Sequence, residues 1–404
     1  MDALSGFKVI DLSHVIAGPT ASHYLAQEGA EVIKVEHPRQ GDILRGRRQD
    51  RLEEGVSIGF AAINAGKKSL AIDLKHPRCK ELLFALIKQA DVFIENFRPG
   101  SIARLGFDYA AVKAANPKVI YASISGFGQE GRWSPRAAYD HVVQSAIGMG
   151  MMQGSAGDDP VKVGFAVVDT ATGMIATQAI MAALIRRLRT NRGAYIDLSM
   201  AQAGLQLMWP DVARVANTGR DSPRIGNRGF SGSPGAATFP CQDGWISTAA
   251  NTKEQFLAMC ESLGLAGVCD DASLMDFAQA GFVSAKDPER VHAILTQAFS
   301  KLPVLEIENR LNARNVPCSR MRLLSEFLNE ARANHLLTLP ERRTSYSSQD
   351  FTDFGAGFKV DMQDLGAMGK APLLGQDTQE LLRSIGVDEA EIKELAIQEA
   401  IRIQ

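Results

Sequence analysis

The stretch FKVIDLSHVIAGPTASHYLAQEGAEVIKVE, residues 7–36, decides the fold class. FKVIDL is a short apolar run rich in strand formers, GPTASHYLAQEGA has helical periodicity and ends at the glycine of QEGA, and EVIKVE is a second strand. The same alternation continues along the chain. SLAIDL (69–74), DVFIENF (91–97), KVIYASISGFG (118–128) and GAYIDLSM (193–200) read as strands, with KELLFALIKQA (80–90) and residues 172–190 as helices between them. Apolar strands alternating with helices predict a mainly parallel α/β sheet covered on both faces. AQAGLQLMWPDVAR reads as one further helix.

A chain of 404 residues exceeds a typical single core, so two domains are expected. Composition changes at 218–244, TGRDSPRIGNRGFSGSPGAATFPCQDG, where glycine and proline predict a long loop. A strand (WISTAA, 245–250) and several helices follow. The expected layout is a large domain from 1–215, a glycine-rich linker and active-site loop at 216–244, a smaller α+β domain at 245–320, and a return segment at 321–404.

With 45% hydrophobic and 22% charged residues and a net charge of −2, the chain has no electrostatic footprint for nucleic acid. The N-terminus lacks a basic stretch before an apolar one, and no apolar run approaches the roughly 18 residues of a membrane span. The five cysteines are scattered without a CxxC pair, and the seven histidines form no cluster. These features predict a cytoplasmic protein with reduced thiols, no metal and no membrane partner.

Two motifs bear on ligands. Strand, glycine, helix and a second strand ending in Glu36 suggest a dinucleotide site, but the turn HVIAGPTAS has only Gly18, so the GxGxxG fingerprint is absent. Basic residues gather instead after three strands: Arg39, Arg45, Arg47, Arg48 and Arg51; Lys67, Lys68 and Lys75; Arg98 and Arg104. Loops following strands of one sheet converge at its carboxyl edge, where such clusters suit a polyanionic ligand.

The remaining acid of interest lies in VGFAVVDTATGMIATQAIMAALIRRL, residues 163–188. Asp169 there has two readings. It caps the following helix through its side-chain oxygen, or the helix dipole holds it ionised and exposed as a nucleophile.

Taken together, residues 4–46, NAGKKSLAIDLKHP, ADVFIENFRPG, SISGFGQEG, AAYDHVVQSAIG, VVDTATGMIA, RGAYIDLSM and APLLGQDTQELL resemble the family III CoA-transferases. The resemblance implies a Rossmann-like large domain built from both chain ends, a small central domain, and two subunits threaded as interlocked rings. It implies Asp169 as catalytic nucleophile, carrying the acyl group as a mixed anhydride and then CoA as a thioester. CoA contacts carried over are Val15 and Ala17 near the thioester, Arg39 at the phosphates, Leu74 and Lys75 near the adenine, Asn96, Phe97 and Arg104 at the ribose-phosphate side, and Ala137 and Tyr139 near the pantetheine. No tightly bound cofactor is implied, since the CoA thioester is a substrate.

Two departures concern specificity. Formyl-CoA transferases carry a run of four glycines and a glutamine in the active-site loop; here Gly229, Phe230, Ser231 and Gly232 predict a bulkier, stiffer lid. Ile16 stands where that subfamily has glutamine. Small dicarboxylic acids such as succinate, mesaconate or itaconate are therefore expected over formate or oxalate. The related α-methylacyl-CoA racemases share the fold, but they place histidine before the acid where this chain has Tyr139 before Asp140. A phenol with pKa about 10 is a poor substitute for an imidazole at about 6.5. A non-enzymatic CoA-binding protein is the alternative of another class.

Overall fold

The computed structural model describes residues 3–46, 50–277, 281–336, 341–361, 363–364 and 369–404. The chain separates into two compact units: Met1–Gly150, Lys162–Asp221 and Leu339–Gln404 form the first, Met151–Val161 and Ser222–Thr338 the second.

The first unit is built on a seven-stranded sheet. Six strands are parallel and appear in the spatial order Lys68–Ile72, Glu31–Glu36, Lys8–Asp11, Val92–Glu95, Ile120–Ser125, Ala194–Ser199. Numbered along the chain this is 3-2-1-4-5-6, the order of a doubly wound fold. Connections leave in opposite directions from the central pair, Lys8–Asp11 and Val92–Glu95, so a crevice opens beyond their carboxyl ends. Both faces are covered, which explains why the first five parallel strands along the chain are almost wholly buried, whereas the edge strand Ala194–Ser199 alternates.

One face packs Leu12, Ile33, Leu70 and Phe93 against helix Pro77–Ile87 and the C-terminal Leu381, Leu382 and Leu395. The other packs Val9, Val32, Val92 and Ile120 against helices Ala17–Gln27 and Val167–Thr190. These two helices approach closely at Gly173, where a Cβ would lie 2.7 Å from Thr20 and 2.9 Å from the Ala17 carbonyl oxygen. The helix Val167–Thr190 is also long and apolar enough to cross a membrane by length and composition. This overturns the expectation that no segment reaches that length; in the fold its Ala176, Ile180 and Leu184 pack on the sheet.

The last strand, Ile401–Arg402, adds antiparallel to Lys68–Ile72. Earlier in the returning segment, at the start of helix Thr378–Ser384 and before helix Glu389–Ile397, Asp377 accepts the Ser69 N–H at 2.7 Å and Thr378 accepts the Ala71 N–H at 3.0 Å, so the returning chain occupies donors an edge strand would expose.

The second unit has a three-stranded antiparallel sheet, ordered Cys318–Arg320, Gly244–Ala250, Gly235–Cys241. Helices Lys253–Ser262, Pro288–Phe299 and Val304–Asn312 supply Phe256, Phe299 and Ile307 to its core. The strand Gly235–Cys241 corrects the reading of 218–244 as loop throughout. Its glycine and two alanines fit close packing, since a Cβ on Gly235 would meet Ala250, Met259 and Phe256 within 2.9 Å.

AQAGLQLMWPDVAR forms two helices, Met200–Leu207 and Trp209–Thr218, rather than one. Pro210 lies in the first turn of the second, where its missing N–H is tolerated; in a continuous helix it would remove a backbone bond and clash with the preceding turn.

Candidate active site

Asp169 sits in the first turn of helix Val167–Thr190, which begins five residues earlier than the periodicity suggested, and the apolar residues before it form no strand. Its side chain is not the cap. Asp140, at the start of helix Asp140–Ala146, accepts from the backbone N–H of Val168 at 2.7 Å and of Asp169 at 3.0 Å. A carboxylate from another helix thus satisfies donors that a local side chain would otherwise take. Gln144 donates to the other Asp140 oxygen, fixing its direction. Among the described residues, the Asp169 carboxylate has no hydrogen bond or ion pair. Burial, then the nearby Asp140 charge, push its pKa up to about 7. The helix dipole therefore does not hold it ionised across the acidic range, contrary to the sequence expectation; desolvation outweighs it.

Asp169 lines a cavity of about 220 Å³ at the crevice beyond the central strands. Val15, Ile16 and Ala17 follow strand Lys8–Asp11, Asn96 and Phe97 follow Val92–Glu95, and Tyr139 precedes the Asp140 helix; all line it with Asp169. The structure also brings in Arg98, one of the basic residues gathered after strands, together with His14, Ile124, Gly126, Arg136 and Met200, which sequence reasoning did not single out as site residues. The signal for most of them was position: they lie inside or beside HVIAGP, ENFRPG, SISGFG and AAYDH. Arg136 stacks 4.0 Å from the centre of the Trp133 ring, which fixes a cation at the rim.

Arg39, Leu74, Lys75, Arg104 and Ala137 lie outside the cavity lining. Arg39 pairs with Glu399, and Arg104 is exposed and donates to Ser101 Oγ at 2.9 Å. Asn96 lines the cavity, but its amide is occupied: its oxygen accepts the His14 N–H at 2.9 Å and its nitrogen donates to the His14 carbonyl at 2.8 Å. Its side chain is thus a clamp on the turn rather than a free contact for a ribose phosphate. In the second unit, Gly229, Phe230 and Ser231 line a separate hollow of about 340 Å³. Gly232 has φ +71°, Ser231 Oγ donates to Asn251 and Ser233 Oγ to the Ala250 carbonyl, so hydroxyls tether the loop while Phe230 projects into solvent.

Several of the clustered basic residues are structural. Arg45 is buried, donates to both oxygens of Glu36 at 2.8 Å and lies 3.9 Å over the Phe60 ring. Burial opposes the Glu36 charge, but Arg45 outweighs it and brings Glu36 down to about 2. The acid that suggested a ribose contact is thereby consumed. Lys67 is buried against Asp11, Ser22, Asn64 and the Pro19 carbonyl, and desolvation brings its ammonium down to about 7. Lys68 pairs with Glu31 and Glu380. Arg47 and Arg48 lie outside the described residues. Among the described residues no group of three His, Cys, Asp or Glu is placed to hold a metal.

The family described as CoA-transferase family III matches residues 4–378. The succinate–glutarate CoA-transferase of Agrobacterium fabrum is 38% identical over 273 residues, covering 66% of this chain and 68% of that protein. The succinyl-CoA:glutarate CoA-transferase of Mus musculus is 30% identical over 98% of this chain and 89% of its own length. The formyl-CoA:oxalate CoA-transferase of Streptomyces coelicolor is 31% identical over 97% of both. A CaiB/BaiF family protein from Brucella suis has the same fold, with a TM-score of 0.82 and 26% identity over 95% of this chain and 99% of that one. The chain belongs to the family III CoA-transferases, enzymes that move CoA between acyl-CoA thioesters and carboxylic acids.

Proposed function

We propose that this enzyme transfers CoA to and from small dicarboxylic acids with Asp169 as the covalent relay. The observation that carries the reading is the Asp169 carboxylate itself: it lines the crevice cavity, has no partner among the described residues, and is relieved of capping by Asp140. In the first step Asp169 attacks the thioester carbonyl, the C–S bond breaks, and CoA thiolate leaves a mixed anhydride. The thiolate then attacks the aspartyl carbonyl, releasing the donor acid and leaving an aspartyl-CoA thioester. The acceptor carboxylate attacks that thioester, expelling thiolate and forming a second anhydride. Thiolate finally attacks the acceptor's carbonyl and frees Asp169. An anhydride conserves the activation of the thioester, which an ordinary serine ester would lose.

The substrate class rests on Arg98 and Arg136, two cations in the cavity lining that could meet a second carboxylate, and on Ile16 where a polar amide would serve a smaller acid. The names of the Agrobacterium and mouse relatives point the same way. The test is a matrix of acyl-CoA donors against free acids, read by mass spectrometry. We expect four- to six-carbon dicarboxylates to be exchanged fastest, and formate and oxalate slowest; the reverse order would overturn the substrate assignment.

We also propose an interlocked homodimer. Leu207, Trp209, Ile185 and Leu188 are large apolar side chains at least half exposed, and helix Trp209–Thr218 buries none of its residues within the chain. Ile175, Leu198, Leu205 and Trp209 line an apolar hollow of about 600 Å³. Exposed apolar surface of this kind suits a second copy. Sedimentation equilibrium should give twice the chain mass of 43.7 kDa at micromolar concentration; a stable folded monomer there would exclude the arrangement.

A further inference from the structure

Val15 has φ +68°, a left-handed backbone. For a β-branched residue this costs about 1–3 kcal/mol and persists only where its surroundings hold it. The hold comes from three directions. Lys34 Nζ, on strand Glu31–Glu36, donates to the Ser13 carbonyl at 2.8 Å. Asn96 clamps both backbone groups of His14. Asp42 accepts the Val15 N–H, with its oxygens at 3.2 and 3.4 Å.

Asp42 is itself fixed. Its side chain is fully buried, its Oδ2 lies 3.0 Å from Lys34 Nζ, its backbone N–H donates to Glu36, and its Oδ1 accepts the Leu44 N–H. Burial opposes the Lys34 charge, but Asp42, Asp11 and Glu36 together keep its pKa above the ordinary value, so Lys34 stays charged. A buried ion pair is weak evidence for stability, because desolvation can exceed the attraction regained. Its consequence here is geometric. Immediately after the pinned residues, Ile16 and Ala17 complete the part of the wall that shares a cavity with Asp169.

We propose that Asp42, seated by Lys34, is a positioning residue for CoA transfer: its carboxylate holds the Val15 N–H and so fixes the left-handed turn that sets the Val15–Ala17 wall of the cavity. This rests on Asp169 being the reacting group in that cavity. Asp42 touches no substrate; it acts through Val15. Loss of the acceptor lets Val15 relax to an ordinary backbone angle and displaces the wall. Misplacement by about 1 Å at a reacting centre costs roughly 10²-fold in rate.

Two charge-balanced double variants separate positioning from mere stabilisation. Lys34→Met/Asp42→Asn removes the ion pair but keeps an oxygen that can accept the Val15 N–H. Lys34→Met/Asp42→Leu removes the pair and the acceptor with similar bulk. We expect both to fold and to retain KM for acyl-CoA within about threefold, while kcat of the Leu pair falls roughly 30- to 100-fold below that of the Asn pair. If the Leu pair does not accumulate in folded form, Lys34→Met/Asp42→Ala takes its place. Equal kcat values in the two pairs would overturn the proposal, as would a parallel rise of KM in the Leu pair without a loss of kcat. Trapping of an adduct on wild-type Asp169 tests the relay separately, so failure of one reading does not masquerade as failure of the other.

Discussion

Asp169→Asn should lower CoA transfer by roughly a thousandfold or more, the scale on which losing a covalent nucleophile shows in enzymes that depend on one. Capping cannot explain such a loss. The helix N–H groups of Val168 and Asp169 are held by Asp140, so the substitution leaves the cap in place. An amide cannot form the anhydride or the aspartyl-CoA thioester, whereas CoA binding through the rest of the cavity should persist. Wild-type enzyme incubated with acyl-CoA and then hydroxylamine should carry its mass change on the peptide containing Asp169. A substantially active Asn variant, or trapping on another carboxylate, would remove the proposed relay.

The same substitution should affect stability in the opposite direction. An unfolded aspartate ionises near about 3.9, whereas folded Asp169 ionises at about 7. Between these values the folded state binds the extra proton, so its stability falls as pH rises toward 7 and then levels off. The neutral Asn variant escapes that loss. Its thermal midpoint should exceed that of wild type at pH 8, with the difference closing by pH 4. An activating requirement and a stability cost would then coincide on one carboxylate.

Asp11→Ala should destabilise the fold by about 3–5 kcal/mol, the usual consequence of leaving one member of a buried ion pair alone. Asp11 is fully buried at the end of the first central strand, with Lys67 Nζ 3.3 Å from its Oδ2. Burial works against its ionisation, but Lys67, Lys34 and the Ser13 and Ser22 hydroxyls bring its pKa down to about 2. Removing it takes away the carboxylate that favours the charged form of Lys67, already down to about 7, so the lysine either stays charged without its partner or sheds its proton among buried acceptors. The double substitution Asp11→Ala/Lys67→Met should recover part of the loss, because no charge is then left unpaired; recovery is incomplete since Ser22, Asn64 and the Pro19 carbonyl lose a donor. Chemical denaturation of the two variants measures this. A loss below about 1 kcal/mol for Asp11→Ala would place the pair with exposed salt bridges instead.

The chain of 404 residues spells out its parallel sheet. FKVIDL, EVIKVE, SLAIDL, DVFIENF, KVIYASIS and GAYIDLS each become a strand of the large sheet with boundaries shifted by a few residues, because buried parallel strands need only a continuous apolar run, which is a local property. The motif blocks also named most of the segments that line the cavity, since loops after parallel strands must emerge at one edge. What a pattern of neighbours cannot specify is the partner of a charge. Asp140 caps a helix beginning 27 residues later, Arg45 is absorbed by Glu36 and Lys67 by Asp11, so two residues that looked like phosphate ligands became internal ties, and Lys34 is buried with Asp42 in the same way. The left-handed backbone at Val15 runs against the local preference of a β-branched residue and arises only where Asp42, Asn96 and Lys34 meet it. The pKa of Asp169 belongs to the same category: its helix position favours ionisation, and burial beside Asp140, which only the folded chain creates, moves it the other way.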